Sequence, residues 1–276
     1  MDEKTDVVER EGLLEQVMTA RADVAEVLLE TDDVTLQQIP QIVTEWECTI
    51  GVYQTDLLKA QIAARRARRR LELAQARANR GDTPDATAIE QVLDREFESW
   101  RHEIEERTKK YLAAVEKRQG SRVLTATEGR ELQRLHRELI KRLHPDVNPG
   151  EQDTCLRLFR AAQNAYKAGD LATLRSLEVA TRGMGADAES KRDELARATA
   201  DELEIELATT QAQLKVLRDR LREIKSREPY ALRTYLADTD WVLDTVAGLK
   251  REAEEQRSAQ QAYDARYEAL CGKGEK

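Results

Sequence analysis

His144, Pro145 and Asp146 are the residues of this chain whose types and spacing most resemble a working site. Proline has a fixed φ and no backbone N–H, so Pro145 makes a stiff corner. An imidazole and a carboxylate flank it, one a donor and acceptor, the other an acceptor. A His–Asp pair also serves hydrolases, but there it activates a nucleophile, and a triad is recognised by roles. No nucleophile or third orienting group is identifiable beside these two. The chemistry is therefore contact: a stiff corner presents two polar groups to a partner at low ordering cost. The plainer alternative is that His144 and Asp146 cap and tie a helix turn, as short polar residues often do. The second constellation is Arg65-Arg-Ala-Arg-Arg-Arg70. Such a run suits phosphate, on nucleic acid or at a membrane surface. The next helical stretch, however, carries Glu90, Asp94, Glu96, Glu98, Glu103, Glu105 and Glu106. Antiparallel packing of the two would pair these charges, and this is the favoured reading.

The elements that position the corner are two helices. From about Glu128 to Leu143, Arg130, Arg134, Arg137 and Lys141 form one narrow stripe. Leu132, Leu135, Leu139 and Leu143 fall opposite. Thr125-Ala-Thr-Glu128 offers a capping box, and Pro145 ends the helix. Asn148-Pro149-Gly150 is turn chemistry. A second helix follows with Cys155, Phe159, Ala162 and Tyr166 on one face. Two apolar faces joined by a short loop predict an antiparallel hairpin with the corner at one tip. His136 borders the apolar side and reads as a packing residue.

The run Glu138-Leu-Ile-Lys-Arg-Leu-His-Pro-Asp-Val-Asn-Pro149, followed by Phe159-Arg-Ala-Ala-Gln-Asn-Ala-Tyr166, resembles the J-domain of DnaJ-type co-chaperones. The likeness covers roughly residues 125–180. Upstream, where that family has a short first helix with a Tyr-x-x-Leu-Gly signature, Arg101 to Gln119 reads as the end of a long polar helix. Downstream, Gly169-Asp170 stops the helix early, and Leu171, Leu174 and Leu177 suggest a short last helix. The resemblance implies binding to a DnaK-type ATPase chaperone and stimulation of its ATP hydrolysis. It implies that His144, Pro145 and Asp146 carry the contact, supported by Arg134, Arg137, Lys141 and Arg142. The basic stripe would steer an acidic partner surface into register. The nucleotide site would be the partner's, so no enzyme activity and no cofactor are expected here.

Composition agrees with long helices. Charged residues are 36% and aromatics 4% of 276 residues, with 12 Gly and 5 Pro. The formal charge of −8 disfavours bulk nucleic-acid binding. Cys48, Cys155 and Cys271 are sparse and not at metal-ligand spacing, which suggests free thiols in a reducing cytosol. The cysteine-rich zinc module and Gly/Phe-rich linker of the largest DnaJ-type proteins are missing. The acidic N-terminus lacks an apolar core, so no signal peptide is expected, and no run approaches a membrane span.

Along the chain the pattern is helix after helix. A first amphipathic stretch covers about 5–29, and Thr31-Asp-Asp33 reads as a break. A long helix then runs from near Leu36 to about Asn79, with Pro40 in its first turn. Trp46 and Tyr53 share a face and read as core. Gly81-Asp-Thr-Pro84 is a stop, and Thr87-Ala-Ile-Glu90 a capping box for a helix toward Gln119. Thr181-Arg-Gly-Met-Gly185 is a candidate hinge. Between about Asp187 and Arg227 lies a heptad seam of Ala200, Leu203, Leu207, Thr210, Leu214, Leu217, Leu221 and Ile224. After Glu228-Pro229 a last helix carries Leu236, Leu243, Val246 and Leu249, and the short break favours an antiparallel hairpin. A coiled-coil homodimer through the same seam is the alternative.

The expectation is an all-α protein in three consecutive regions: 1–120 long helices, 121–182 the J-like module, and 183–276 a helical hairpin. Its expected role is that of a cytoplasmic J-domain co-chaperone whose helical arms hold a client. The alternatives are a coiled-coil scaffold with a degenerate J-like hairpin, and a nucleic-acid adaptor using Arg65–Arg70.

Overall fold

A computed structural model describes residues 3–120, 124–144, 153–181, 195 and 197–271. These residues are helical almost throughout and contain no strand, so the fold is all-α. The helices are α1 (Glu3–Asp33), α2 (Ile39–Trp46), α3 (Val52–Ala78), α4 (Ala86–Glu96), α5 (Glu98–Gly120) and α6 (Ala126–Leu143). They continue with α7 (Asp153–Ala168), α8 (Leu171–Ala180), α9 (Ala200–Ser226), α10 (Leu232–Ala237) and α11 (Thr239–Cys271). Short π-helical segments at Val34–Gln38 and Glu47–Gly51 separate the first three.

The chain forms two compact units, each assembled from distant segments: 1–41 with 122–231, and 42–121 with 232–276. This replaces the expected three consecutive regions. The physical reason is that the C-terminal helices bury their seams against helices of the N-terminal half.

In the first unit α9 lies beside α1. All eight expected seam residues of α9 are buried or half-buried, with Leu203 at 1% exposure. The facing stripe also follows spacings of four and three: Leu13, Val17, Ala20, Val24, Val27 and Thr31 on α1, then Val34 at the start of the π-helical segment. Val17 packs with Leu203, and Val24 and Val27 with Leu214 and Leu221. Arg21 pairs with Glu206, Asp23 with Arg218, and Glu30 with Lys225. Positions rise together on both helices, so the pair is parallel. The seam expected to close a C-terminal hairpin, or a homodimer, is occupied within the chain. Thr199 and Glu202 cap the start of α9 reciprocally.

In the second unit α11 runs parallel to α3. Leu57, Ala60, Ala64, Ala67, Leu71 and Ala74 are all buried at alternating spacings of three and four. Small residues on a seam let helix axes approach closely. The facing positions of α11 are Val242, Val246, Leu249, Ala253, Gln256, Gln260, Tyr263, Tyr267 and Leu270. Asp56 pairs with Arg257 and Arg70 with Asp264, again in rising order. Leu243, expected among the apolar members of this helix, is 63% exposed because it lies one residue off the seam.

Two local expectations change. Thr31-Asp-Asp33 does not break the helix. The chain passes it through the π-helical segment, where the Ile39 N–H donates to the Val34 carbonyl. Pro40 follows immediately; its ring crowds the carbonyl four residues back, and the wider turn accommodates it without ending the helix. The cap of α4 is Asp85, accepting from the Ala88 N–H, and not Thr87. Glu90 is engaged instead by Arg66 and Arg70.

Truncating Leu203 or Leu214 to Ala should cost about 2–5 kcal/mol. Leu243→Ala should change stability by no more than about 0.5 kcal/mol. Urea denaturation of the three variants checks this, and equal losses would place the seam elsewhere.

Candidate functional site

The hairpin module is built as its pattern requires. Thr125 and Glu128 form the reciprocal capping box that starts α6. Leu132, Leu135, Leu139, Ile140 and Leu143 pack against Cys155, Phe159, Ala162, Ala165 and Tyr166 of α7. His136 meets Tyr166, and His144 meets Phe159, so α6 and α7 are antiparallel. Gly169 ends α7 with φ +67, a left-handed conformation that glycine adopts freely. Asp170 then caps α8 by accepting from the Thr173 N–H. Leu171 and Leu174 close the core.

The expected contact residues are distributed as follows. Arg134, Arg137 and Lys141 are exposed on the outer side of α6, in line with Arg130. Arg134 also reaches Glu138 at 2.8 Å on its own helix. Arg142 departs from this stripe. It donates to the Thr181 hydroxyl at 2.9 Å and to the Glu178 carbonyl at 3.3 Å, tying the end of α8 to α6. His144 is the C-cap residue of α6, its N–H donating to the Ile140 carbonyl. The residue is 9% exposed, and its ring stands edge-on to Phe159 at 4.8 Å. Pro145 and Asp146 lie outside the described residues, as do Asn148-Pro149-Gly150 and residues 182–185 of the candidate hinge.

A second cluster was not evident from sequence. Leu29 and Leu36 pack on the hairpin core, and between them Asp32 and Asp33 point into it. The Tyr166 hydroxyl donates to Asp33 at 2.7 Å, and the Gln163 amide to both oxygens of Asp32 at 3.1 Å. Gln37 donates to the Tyr166 carbonyl, and Gln38 to Asp33 at 2.6 Å. His136 stacks on Tyr166 at 3.8 Å with rings 8° from parallel. Its Nε2 faces Asp32 at 3.6 Å without a hydrogen bond. Burial holds the His136 imidazole neutral, its pKa down to about 4 despite the nearby Asp33. Burial raises the Asp32 carboxyl, opposed by the Gln163 hydrogen bond, and the Tyr166 phenol is pushed up by burial and by Asp33. This network braces the hairpin against α1. The available signal was helical phase: Val24, Val27 and Val34 continue across the two aspartates.

The arginine run is internally engaged, as its charge pattern suggested. Arg66 pairs with Glu90 and Asp94, Arg69 with Glu96, and Arg70 with Glu90 and Asp264. The Arg65 guanidinium lies 5.6 Å from the Trp100 ring centroid. Exposed pairs of this kind add little stability, but they occupy the cations.

The three cysteines are free. Among the described residues no cluster of three His, Cys, Asp or Glu could hold a metal, and no helix is long and apolar enough to cross a membrane. Comparison with protein-family models, curated proteins and solved structures finds no match to this chain.

The network predicts a pH dependence. The folded His136 pKa lies near 4 and the unfolded one near 6.5. The unfolded chain therefore takes up the proton first, and stability falls as pH drops from about 6.5 toward about 4. His136 should contribute about 2–4 kcal/mol of that loss. Asp32, raised in the fold, acts oppositely as it protonates. His136→Phe keeps a ring on Tyr166 and should flatten the slope between about pH 7 and about pH 5. An unchanged slope in urea titrations would exclude His136 as its source. Separately, Tyr166→Phe strips Asp33 of a buried donor and should cost about 1–3 kcal/mol, measured in the same titrations at neutral pH.

Proposed function

We propose that this protein is a J-domain-like co-chaperone, not an enzyme. It binds a DnaK-type ATPase chaperone through the α6 face and the His-Pro-Asp corner, and stimulates its ATP hydrolysis. The observation that carries the reading is the exposed row Arg130, Arg134, Arg137 and Lys141 on the outer helix of an antiparallel hairpin, running toward His144. A cationic helix face of this kind steers and registers an acidic surface. His144, packed on Phe159, holds the start of the corner in place, and Pro145 and Asp146 carry the contact with it. The long parallel helix pairs are the arms that hold a client. The engaged arginines of α3 speak against a nucleic-acid role. The expected setting is the cytosol.

One observation favours a second reading. Arg142 and His144 are both turned into the module, where they tie α8 and pack on Phe159. In a coiled-coil scaffold the same hairpin would be purely structural.

Single-turnover ATP hydrolysis by a DnaK-type chaperone separates the two. The native protein should accelerate it, and His144→Gln and Arg137→Glu should each remove most of the effect. Arg137 is exposed, so its reversal leaves the module folded, which circular dichroism checks. Rising salt should weaken the stimulation. No acceleration by the native protein would favour the scaffold.

A further inference from the structure

The second unit carries a surface that the chaperone contact does not use. Trp46, Tyr235 and Trp241 come together there from distant parts of the chain. The Trp46 and Trp241 ring centroids are 6.3 Å apart, and those of Tyr235 and Trp241 4.9 Å. Aromatics are only 4% of the sequence, yet this cluster holds two of its three tryptophans. The rings are not enclosed. Tyr235 is 47% exposed, both tryptophans are half-buried, and Val43, one turn before Trp46, is 37% exposed. Partly open Trp and Tyr are the residue types that dominate binding hot spots.

The sequence that supplies the rings is one-sided in charge. The two segments that supply the rings, 42–50 and 232–245, contain Glu45, Glu47, Asp238, Asp240 and Asp244 against one cation, Arg233. Asp244 lies three residues after Trp241 on α11, a spacing that sets the two side chains on one helix face. Asp238 immediately precedes that helix and is held at its start, its carboxylate accepting from the backbone N–H of Trp241 at 3.0 Å. An apolar partner alone would leave these carboxylates facing greasy surface. An acidic partner would be repelled.

We infer that the Trp46–Tyr235–Trp241 cluster is a docking surface for an amphipathic segment of another protein that carries arginine or lysine beside its apolar residues. Apolar side chains cover the rings, guanidinium or ammonium groups stack on their open faces, and the carboxylate rim selects for positive charge. The inference locates the client contact of the proposed arms. It is read by binding and not by ATP hydrolysis, so the two readings fail separately.

The test uses the full chain and a labelled synthetic helix with leucine on one face and arginine on the other, followed by fluorescence anisotropy. The native protein should bind it, more weakly as salt rises. Tyr235→Ser and Asp244→Lys alter exposed side chains and should each weaken binding roughly tenfold while circular dichroism stays unchanged. In a Trp100→Phe background the emission of Trp46 and Trp241 should shift on binding. Unchanged affinity in both variants would overturn the proposal, as would equal binding of the same helix with glutamate in place of arginine. A concentration-dependent dimer in sedimentation that Tyr235→Ser abolishes would also overturn it, giving the surface to a second copy.

Discussion

Helix α1 has to bury two of its faces at once. One face is the heptad stripe that meets α9. The other carries Leu29, Asp32 and Asp33, continued by Leu36 of the π-helical segment, against the hairpin. An ordinary amphipathic helix has one apolar stripe and a solvated remainder. Here the second face is partly polar, so its burial depends on hydrogen bonds being met inside the module. Tyr166, Gln163 and Gln38 meet them. Leaving either carboxylate unpaired would cost far more than the pairing itself contributes.

The same dock braces the hairpin of α6 and α7 from outside its own stretch of sequence. The bracing falls to α1 and the π-helical turn after it, segments that precede the hairpin by about a hundred residues of sequence. Arg142 and Thr181 close the other end by tying α8 to α6. Both devices leave the outer face of α6 open, so its cations are displayed by a braced helix and not by a mobile one. A preorganised face loses less freedom on binding.

Much of this was legible in the sequence because heptad and amphipathic periods are local. The α9 seam, the α6 and α7 faces, the Thr125 capping box and the Gly169 stop all rest on residues within a few turns of each other. The pairing of helices was not legible. A seam such as Leu203 to Ile224 states that a partner exists and not which helix it is. The α3 seam is built largely of alanines, which carry a weak apolar signal, and the α11 seam includes Gln256 and Gln260. Asp32 and Asp33 read as a break because carboxylates disfavour a buried helix face unless distant partners satisfy them. Those partners, Gln163 and Tyr166, lie more than 130 residues away. The pairing of Arg66, Arg69 and Arg70 was readable because the compensating acids fall in the next helix.

Hydrogen–deuterium exchange on the full chain, with and without an ATP-loaded DnaK-type chaperone, shows whether α6 is the proposed contact face. New protection should concentrate on the outer side of α6 and the His-Pro-Asp segment, with the α1–α9 and α3–α11 seams unchanged. Protection on the long helix pairs with none at α6 would contradict it.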